Sequence, residues 1–190
     1  MTGSLGGLGG PRLALFLGGA RSGKSRLAER YLRAAPGPCH YIATAETLDA
    51  EMAARVARHR VDRGGDWVTH EVPLDLAEVL PRLPEGAQVL VDCATLWLSN
   101  HLLRGSDLDA ECARLMTALA TCPARRIAIV SNEVGWGIVP DNALARAFRD
   151  AQGRLNQQLA AASGLVVGVM AGLPLVLKGQ APEGIFDHLA

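Results

Sequence analysis

Short apolar runs alternate along the chain with longer stretches in which apolar residues recur every three or four positions. The apolar runs predict mostly buried strands, over residues 13–17, 40–43, 67–72, 88–91, 126–130, 165–170 and 173–177. The periodic stretches predict helices over residues 24–33, 48–62, 74–83, 95–103, 108–119 and 142–162. Strands that alternate with helices indicate an α/β fold around a mostly parallel sheet, which binds ligands beyond the carboxyl ends of its strands.

The length and composition are those of one globular domain. Of the 190 residues, 49% are hydrophobic and 20% are charged, which excludes disordered, collagen-like and disulfide-stapled proteins. We divide the chain into a Gly-rich leader (1–12), a nucleotide-binding catalytic domain (13–178) and a C-terminal tail (179–190). No apolar run approaches the ~20 residues of a membrane span, and the Gly-rich start is unlike a secretory signal. We therefore expect a cytoplasmic protein without a membrane span.

The charge balance and the cysteine spacing argue against several classes of function. The 19 Lys and Arg residues balance 19 Asp and Glu residues, so no nucleic-acid binding through bulk charge is expected and any anion site must be local. A RecA-like ATPase that acts on DNA fits this balance poorly. The four cysteines form no C-x-x-C pair, so we expect free and mostly buried thiols, not disulfides or zinc ligands.

The strongest motif follows the first predicted strand and precedes the first predicted helix. It fits the phosphate-binding loop pattern G-x-x-x-x-G-K-[ST], in which backbone N–H groups and a helix N-terminus surround the phosphates of a nucleotide. The lysine reaches the β- and γ-phosphates and the last hydroxyl binds Mg²⁺. In this context we expect a three-layer P-loop NTPase fold of the RecA-like type. The candidate residues are Gly18, Gly19, Ala20, Arg21, Ser22, Gly23, Lys24 and Ser25.

Besides the Ser25 hydroxyl, a carboxylate is needed to hold the metal of a phosphate-binding loop. Asp92 stands at the end of a predicted strand and can supply it. Strand-end carboxylates beside such a loop face the phosphates, so we favour Asp92 together with Ser25 as the Mg²⁺ site. The alternative is that Asp92 caps the turn that follows. Glu133, which follows the fifth predicted strand, is a second acidic candidate at this edge and would act as general base.

A histidine lies within a row of basic residues on the second predicted helix. Arg55, His59 and Arg63 are spaced i, i+4, i+8 and would stack on one face. Two guanidinium groups beside an imidazole would bind the oxygens of a phosphate. The neutral imidazole of His59 could then attack the phosphorus and form a phosphoramidate. An ordinary solvated helix face with salt bridges explains the same spacing.

The run Asp62-Arg-Gly-Gly65 matches the D-x-x-G motif of GTPases by letter. It follows a predicted helix and not a strand, and no N-K-x-D motif occurs, so we reject a small GTPase.

Several runs together resemble one family, the bifunctional adenosylcobinamide kinase / adenosylcobinamide-phosphate guanylyltransferases of cobalamin biosynthesis. The resemblance extends from about residue 13 to 178, and Asn-Glu-Val-Gly-Trp-Gly-Ile-Val-Pro at 132–140 is its most specific part. The other runs are the phosphate-binding loop, Tyr-Ile-Ala-Thr at 41–44, Asp-Ala-Glu-Met-Ala-Ala-Arg-Val at 49–56, Asp-Asn-Ala-Leu-Ala-Arg at 141–146 and Gly-Arg-Leu-Asn-Gln at 153–157.

This resemblance implies two reactions. ATP or GTP phosphorylates adenosylcobinamide, and GTP then transfers GMP through a guanylyl-histidine to the phosphorylated product, giving adenosylcobinamide-GDP. Mg²⁺ accompanies the nucleotide, no tightly bound organic cofactor is expected, and the subunits form a homo-oligomer, a trimer in the family. By resemblance the catalytic residues are His59 and Lys24. The nucleotide contacts beyond the phosphate-binding loop are Ala43, Thr44, Ala45, Arg60, Val61, Asp62, Arg63, Glu71 and Asp92.

Two other functions remain open at the level of the sequence. One is a P-loop kinase that acts on another small metabolite without guanylyl transfer. The other is a non-catalytic nucleotide-sensing module that binds a protein partner. Incubation with α-labelled GTP distinguishes the kinase alternative from the bifunctional enzyme, because only guanylyl transfer leaves an acid-labile, base-stable label on the protein. The sensing module predicts GTP binding without turnover of cobinamide.

Overall fold

The computed structural model describes residues 10–46 and 66–186. Its strands are β1 (Leu13–Gly18), β2 (Cys39–Ala43), β3 (Trp67–Glu71), β4 (Gln88–Asp92), β5 (Arg126–Asn132), β6 (Leu165–Met170) and β7 (Leu173–Lys178). Its helices are α1 (Lys24–Arg33), α2 (Leu76–Val79), α3 (Ala94–Leu103), α4 (Leu108–Thr121) and α5 (Ala143–Ala162), with a 3-10 turn at Leu80–Arg82.

The strands form one sheet in the order β3-β2-β4-β5-β1-β6-β7. All neighbouring pairs are parallel except β6 and β7, which form an antiparallel hairpin. The mostly parallel α/β fold is therefore confirmed. Strand β5 lies between β1 and β4, so the strand that leads into the phosphate-binding loop is not adjacent to the strand that ends in Asp92.

Helices cover both faces of the sheet, because successive strand residues point to opposite sides. Phe16 on β1 packs with Leu27 and Tyr31 of α1 on one face. Leu15 belongs to the core on the other face, to which α2, α3, α4 and α5 contribute residues such as Trp97. Two buried layers of apolar side chains therefore hold the three-layer arrangement together and fix the strand ends relative to one another.

Local sequence signals placed most elements correctly. Asp107 is the N-cap of α4, and its carboxylate accepts hydrogen bonds from the N–H groups of Asp109 and Ala110 at 3.1 Å. The helix predicted over 74–83 was too long: only Leu76–Val79 is α-helical before the 3-10 turn. Pro81 within that turn has no N–H to donate to an α-helical ladder, which explains the early end.

The structure also bears on the expectations about the cysteines and about a membrane span. All four cysteines are free thiols, and three of them are buried. None of the helices within residues 10–46 and 66–186 is sufficiently long and apolar to cross a membrane. The helix predicted over 48–62 lies outside the described residues.

Candidate nucleotide-binding site

The parallel strands bring the candidate residues to one edge of the sheet. In the strand register, Ala43 pairs with Glu71 on one side and with Asp92 on the other. Gly18 pairs with Asn132 of β5. The carboxyl ends of these strands therefore form a row along the edge at which α/β proteins bind ligands.

The phosphate-binding loop requires glycine at two positions. A Cβ at Gly18 would lie 2.2 Å from the carbonyl oxygen of Val169 on β6, which leaves no room for a side chain. Gly23 has φ 98° and stands immediately before α1, a left-handed conformation that costs little only for glycine. The loop therefore turns sharply from β1 into α1 and lies against the β6–β7 hairpin.

The start of α1 is free to bind an anion. No side chain within residues 10–46 and 66–186 caps its N-terminus, and its first turn has no acidic residue, so the partial positive charge of the first N–H groups is available to a ligand. Among the residues that the structure describes, the buried Ser22 hydroxyl oxygen has no hydrogen-bond partner. An unsatisfied polar atom inside a glycine-rich turn fits a site that a phosphate would complete.

Lys24 occupies the position expected of the phosphate-binding lysine. Its side chain is largely buried, and Nζ donates a hydrogen bond of 2.6 Å to the carbonyl oxygen of Gly19. Burial lowers the pKa of the Lys24 ammonium, while Cys93 and then Asp92 oppose this shift. A bound phosphate would add negative charge, favour the protonated lysine and replace the Gly19 carbonyl as its partner.

The β6–β7 hairpin supports the loop from the side. The N–H of Gly172, in the hairpin turn, donates to the carbonyl oxygen of Ser22 at 2.9 Å. The other end of the hairpin is held by Lys178, whose Nζ donates to the last carbonyls of α5 at Ala160 and Ala161. The hairpin therefore connects the phosphate-binding loop to the carboxyl end of α5.

Asp92 and Thr44 lie beside each other at the ends of β4 and β2. The Tyr41 hydroxyl donates to the Asp92 carboxylate at 3.1 Å. Thr44 is fully buried, and its hydroxyl both donates to the carbonyl of Cys93 at 2.8 Å and accepts from the Cys93 N–H at 2.7 Å. Thr44 therefore links the end of β2 to Cys93, the residue after Asp92. Asp92 itself is only partly buried.

Strand β5 continues beyond its β4 neighbour toward the phosphate-binding loop. The last β4–β5 pair joins Asp92 and Val130, whereas Asn132 still pairs with Gly18. The N–H of Glu133 donates to the carbonyl of Gly18 at 3.2 Å. Glu133, the candidate general base, therefore lies next to the phosphate-binding loop, directly after the strand between β1 and β4.

A fixed loop with exposed apolar side chains follows Glu133. The Glu133 carboxylate accepts a hydrogen bond from the Gly135 N–H at 2.8 Å, and Arg146 donates to the carbonyls of Pro140 and Asp141 at 2.9 and 2.7 Å. Between these anchors the exposed fractions are 79% for Trp136 and 97% for Ile138. The family-specific run at 132–140 thus forms an apolar surface next to the candidate site.

Four buried polar side chains behind this edge were not identified from the sequence. They are Thr95 at the start of α3, Ser131 on β5, and Gln152 and Asn156 on the buried face of α5. The i, i+4 spacing of Gln152 and Asn156 beside Leu155, which is fully buried, could have indicated them. Polar residues on an apolar helix face require hydrogen-bond partners, so such a pair points to a buried network.

Three other histidines form hydrogen bonds within the fold, and the last predicted site residues lie outside the part of the chain that the structure describes. His101 is buried between Ser106 and the Leu74 carbonyl, and His40 hydrogen-bonds to His70 at 2.9 Å. His59 and the four residues 60–63 lie outside the described residues, so their nucleotide-binding and catalytic roles stay predictions. Within residues 10–46 and 66–186, no group of three or more His, Cys, Asp or Glu side chains could hold a metal ion by itself.

Comparison with known proteins gives consistent matches over nearly the whole chain. The family model described as cobinamide kinase / cobinamide phosphate guanyltransferase matches residues 14–177. The bifunctional adenosylcobalamin biosynthesis protein CobP of Pseudomonas aeruginosa is 47% identical over 169 residues, which cover 87% of this chain and 97% of that protein. The bifunctional proteins CobU of Salmonella typhimurium and Escherichia coli are 42% and 41% identical, with 87% of this chain and 99% of each relative covered.

A solved structure, the P4 protein of bacteriophage phi6 in complex with ADP, is more distantly similar. It shares 18% sequence identity and a TM-score of 0.43, with 86% of this chain and 52% of that chain covered. The chain thus spans about half the length of that protein, and a likeness at this level bears on no functional conclusion. The fold assignment rests on the sheet and the phosphate-binding loop described above.

Proposed function

Because this chain belongs to the cobinamide kinase / cobinamide phosphate guanyltransferase family, we propose that it catalyses both reactions on an adenosylated corrinoid. ATP or GTP phosphorylates the hydroxyl of adenosylcobinamide, and GTP then supplies GMP to the resulting phosphate. The observation that carries the proposal is the phosphate-binding loop with buried Lys24, within a chain that matches its bifunctional relatives over 87% of its length.

The kinase step needs positioning and charge neutralisation more than covalent chemistry. The N–H groups at the start of α1 and the Lys24 ammonium bind the phosphates, so that the substrate hydroxyl meets the γ-phosphorus in line. The hydroxyl oxygen forms a bond to that phosphorus, the bond to the β-phosphate oxygen breaks, and the hydroxyl proton passes to a base. We propose Glu133 for this base, since its backbone is hydrogen-bonded to Gly18.

The oxygen donors at this edge fit Mg²⁺. Ser25 supplies a hydroxyl in the first turn of α1, and Asp92 supplies a partly buried carboxylate at the end of β4. Hard oxygen ligands suit Mg²⁺, which keeps several waters and binds nucleotide phosphates, so a large cluster of protein ligands is not required. We propose Ser25 and Asp92 as its protein contacts. The ion would neutralise phosphate charge during transfer.

The guanylyl step uses His59 by resemblance to the family. A neutral imidazole nitrogen attacks the α-phosphorus of GTP, the bond between the α-phosphorus and the bridging oxygen breaks, and pyrophosphate leaves. The phosphate of the corrinoid then attacks the same phosphorus and releases the imidazole. A covalent intermediate divides one difficult displacement into two easier ones. Arg55 and Arg63, near His59 in the sequence, would favour the neutral, nucleophilic imidazole.

Incubation of the purified chain with adenosylcobinamide, ATP, GTP and Mg²⁺ tests the proposal. Chromatography with mass detection should reveal adenosylcobinamide phosphate with ATP alone and adenosylcobinamide-GDP once GTP is present. Phosphorylated product without the GDP product would favour a kinase of narrower function. GTP binding without turnover of the corrinoid would favour a nucleotide-sensing module.

We also propose that the exposed loop after β5 contacts the apolar face of the corrinoid. Trp136 and Ile138 lie on a loop that begins at Glu133, beside the phosphates, and that is anchored at both ends. A substrate whose hydroxyl meets the γ-phosphate must place its large ring system near this edge. Because hydrogen bonds already hold the two ends of this loop, its backbone loses little entropy when the apolar side chains make such a contact.

Replacement of Trp136 by alanine tests this contact. The KM for adenosylcobinamide is expected to rise about 10-fold, equivalent to about 1.4 kcal/mol, while the KM for ATP stays unchanged. Steady-state kinetics with each substrate varied in turn make the measurement. Leu103→Ala, a truncation of an apolar side chain that is 68% exposed at the end of α3, is the control. An unchanged corrinoid KM would place the ring elsewhere.

The edge strand β7 fits a homo-oligomer interface. It is the last strand of the sheet, and Leu173, Leu175 and Leu177 on one side are 64%, 61% and 58% exposed. Unpaired edge strands and continuous apolar patches mark association sites. We propose that this surface joins subunits in the oligomer that the family resemblance implies.

The double substitution Leu175→Glu with Leu177→Glu is expected to convert the oligomer into monomers, because it places two charges within an apolar contact. Size-exclusion chromatography with light scattering gives the mass of each species. Gln158→Glu, on the exposed face of α5, controls for added charge. A wild-type monomer, or a double variant with the wild-type mass, would remove β7 from the interface.

A further inference from the structure

A closed chain of hydrogen bonds begins and ends on the backbone of Asn132. The N–H of Asn132 donates to the Thr95 hydroxyl at 2.7 Å, and the Thr95 hydroxyl lies 3.4 Å from that of Ser131. The Ser131 hydroxyl donates to Oδ1 of Asn156 at 2.6 Å. The amide Nδ2 of Asn156 then donates to the carbonyl of Asn132 at 3.1 Å.

Gln152 strengthens this chain from one turn earlier on α5. Its amide Nε2 donates to the Ser131 hydroxyl and to Oδ1 of Asn156, both at 2.9 Å. Gln152 is fully buried, and Ser131 is also inaccessible to solvent. These hydrogen bonds join α3, β5 and α5 through buried side chains, while Oε1 of Gln152 has no partner among the described residues.

The network replaces the strand neighbour that β5 lacks at its end. Strand β4 stops at Asp92, opposite Val130, so no β4 backbone remains to bind Asn132. Thr95, three residues after Asp92, accepts the Asn132 N–H instead. The same hydrogen bond therefore fixes the end of β5 relative to the start of α3, and hence Glu133 relative to Asp92.

We propose that Thr95 and Asn156 are positioning residues for phosphoryl transfer. They hold the backbone of Asn132 so that Glu133 stays against Gly18 and at a fixed separation from Asp92. This inference rests on the proposed kinase function, because it assigns the network a role in that reaction. The two side chains also satisfy the Asn132 N–H and carbonyl, which have no β4 partner, so the test must separate positioning of Glu133 from this structural role.

The pair Thr95→Val and Thr95→Ser tests the proposal. Valine keeps the shape of threonine but removes the acceptor for the Asn132 N–H, whereas serine retains it. We expect kcat for phosphorylation to fall between about 10- and 100-fold in Thr95→Val, because small displacements of reacting groups have effects of this size. The KM for ATP should stay within about twofold, since the phosphate-binding loop is intact. Thr95→Ser should restore most of kcat.

Two further variants keep the test decisive. Thr117→Val removes a hydroxyl on the exposed face of α4 that donates to the carbonyl of Ala113, and should leave both parameters unchanged. Asn156→Asp keeps the side-chain shape but removes the donor to the Asn132 carbonyl, so it should lower kcat without raising KM and serves if Thr95→Val does not fold. Thermal melting monitored by circular dichroism establishes folding.

Failure of the inference is distinguishable from failure of the proposed function. Wild-type kcat in both folded variants would overturn the positioning role while leaving the kinase assignment intact. A parallel rise in KM, or equal losses in Thr95→Val and Thr95→Ser, would point to a general structural effect and also overturn it. A wild-type chain that does not phosphorylate adenosylcobinamide would instead contradict the proposed function.

Discussion

Replacement of Lys24 by alanine is expected to weaken binding of ATP and GTP and to lower kcat/KM for phosphorylation by about 100-fold or more. Removal of one preorganised charged donor from a phosphoryl-transfer site has effects of this order. The ammonium is already buried beside the phosphate-binding loop, where it bonds only to the Gly19 carbonyl among the contacts described. Titration with each triphosphate and steady-state kinetics measure the two effects.

The chain contains a matched control for this substitution. Lys178 is its second lysine, and its Nζ binds the last carbonyls of α5. Lys178→Ala therefore removes the same charge from a surface site outside the phosphate-binding loop, and triphosphate affinity should stay close to wild type. If Lys24→Ala bound GTP as tightly as wild type does, the phosphate-binding role of this loop would be wrong.

Replacement of His59 by alanine is expected to abolish guanylyl transfer while phosphorylation of adenosylcobinamide continues. Without the imidazole no protein–GMP bond forms, so the two-step displacement loses its intermediate and the GDP product should fall by several orders of magnitude. Incubation with α-labelled GTP should label the wild-type chain in an acid-labile, base-stable form and leave His59→Ala unlabelled. Mass spectrometry should locate the adduct.

A second histidine substitution gives the control. His188 lies beyond residues 14–177, which match the family model, so His188→Ala should retain both activities and the label. The separation of the two reactions is the informative result, because a folding defect would reduce them together. A His59→Ala chain that made adenosylcobinamide-GDP at the wild-type rate would exclude His59 as the nucleophile.

Local sequence signals were sufficient where a single stretch of chain decides its own structure. The apolar run before Gly18 becomes β1, and the turn glycines lead into α1 at Lys24 as predicted. The same locality explains the error at 74–83: the periodic apolar pattern indicated one helix, but Pro81 stands in a 3-10 turn that follows only one short α-helix. Backbone chemistry at one proline outweighed a pattern that extended over ten residues.

The candidate site was predictable to the extent that parallel strands share an edge. Asp92 could be placed at that edge from its position after an apolar run, and the structure places it beside Ala43 in the strand register. The interposition of β5 between β1 and β4 could not be read from the sequence, because strand neighbours are selected by packing between distant segments. The role of His59 stays a prediction from the sequence and the family.

The amino-acid sequence by itself determined most of the elements within the described residues, the phosphate-binding loop and the membership of a family, since each depends on residue types within a short window or on similarity along the chain. Only the tertiary structure decided that Thr95, Ser131 and Asn156 meet around the backbone of Asn132. Their partners lie on α3, β5 and α5, and nothing local to any one of them specifies the others. Burial is the physical reason for their meeting, because a polar group removed from water must find its hydrogen bonds wherever the fold provides them.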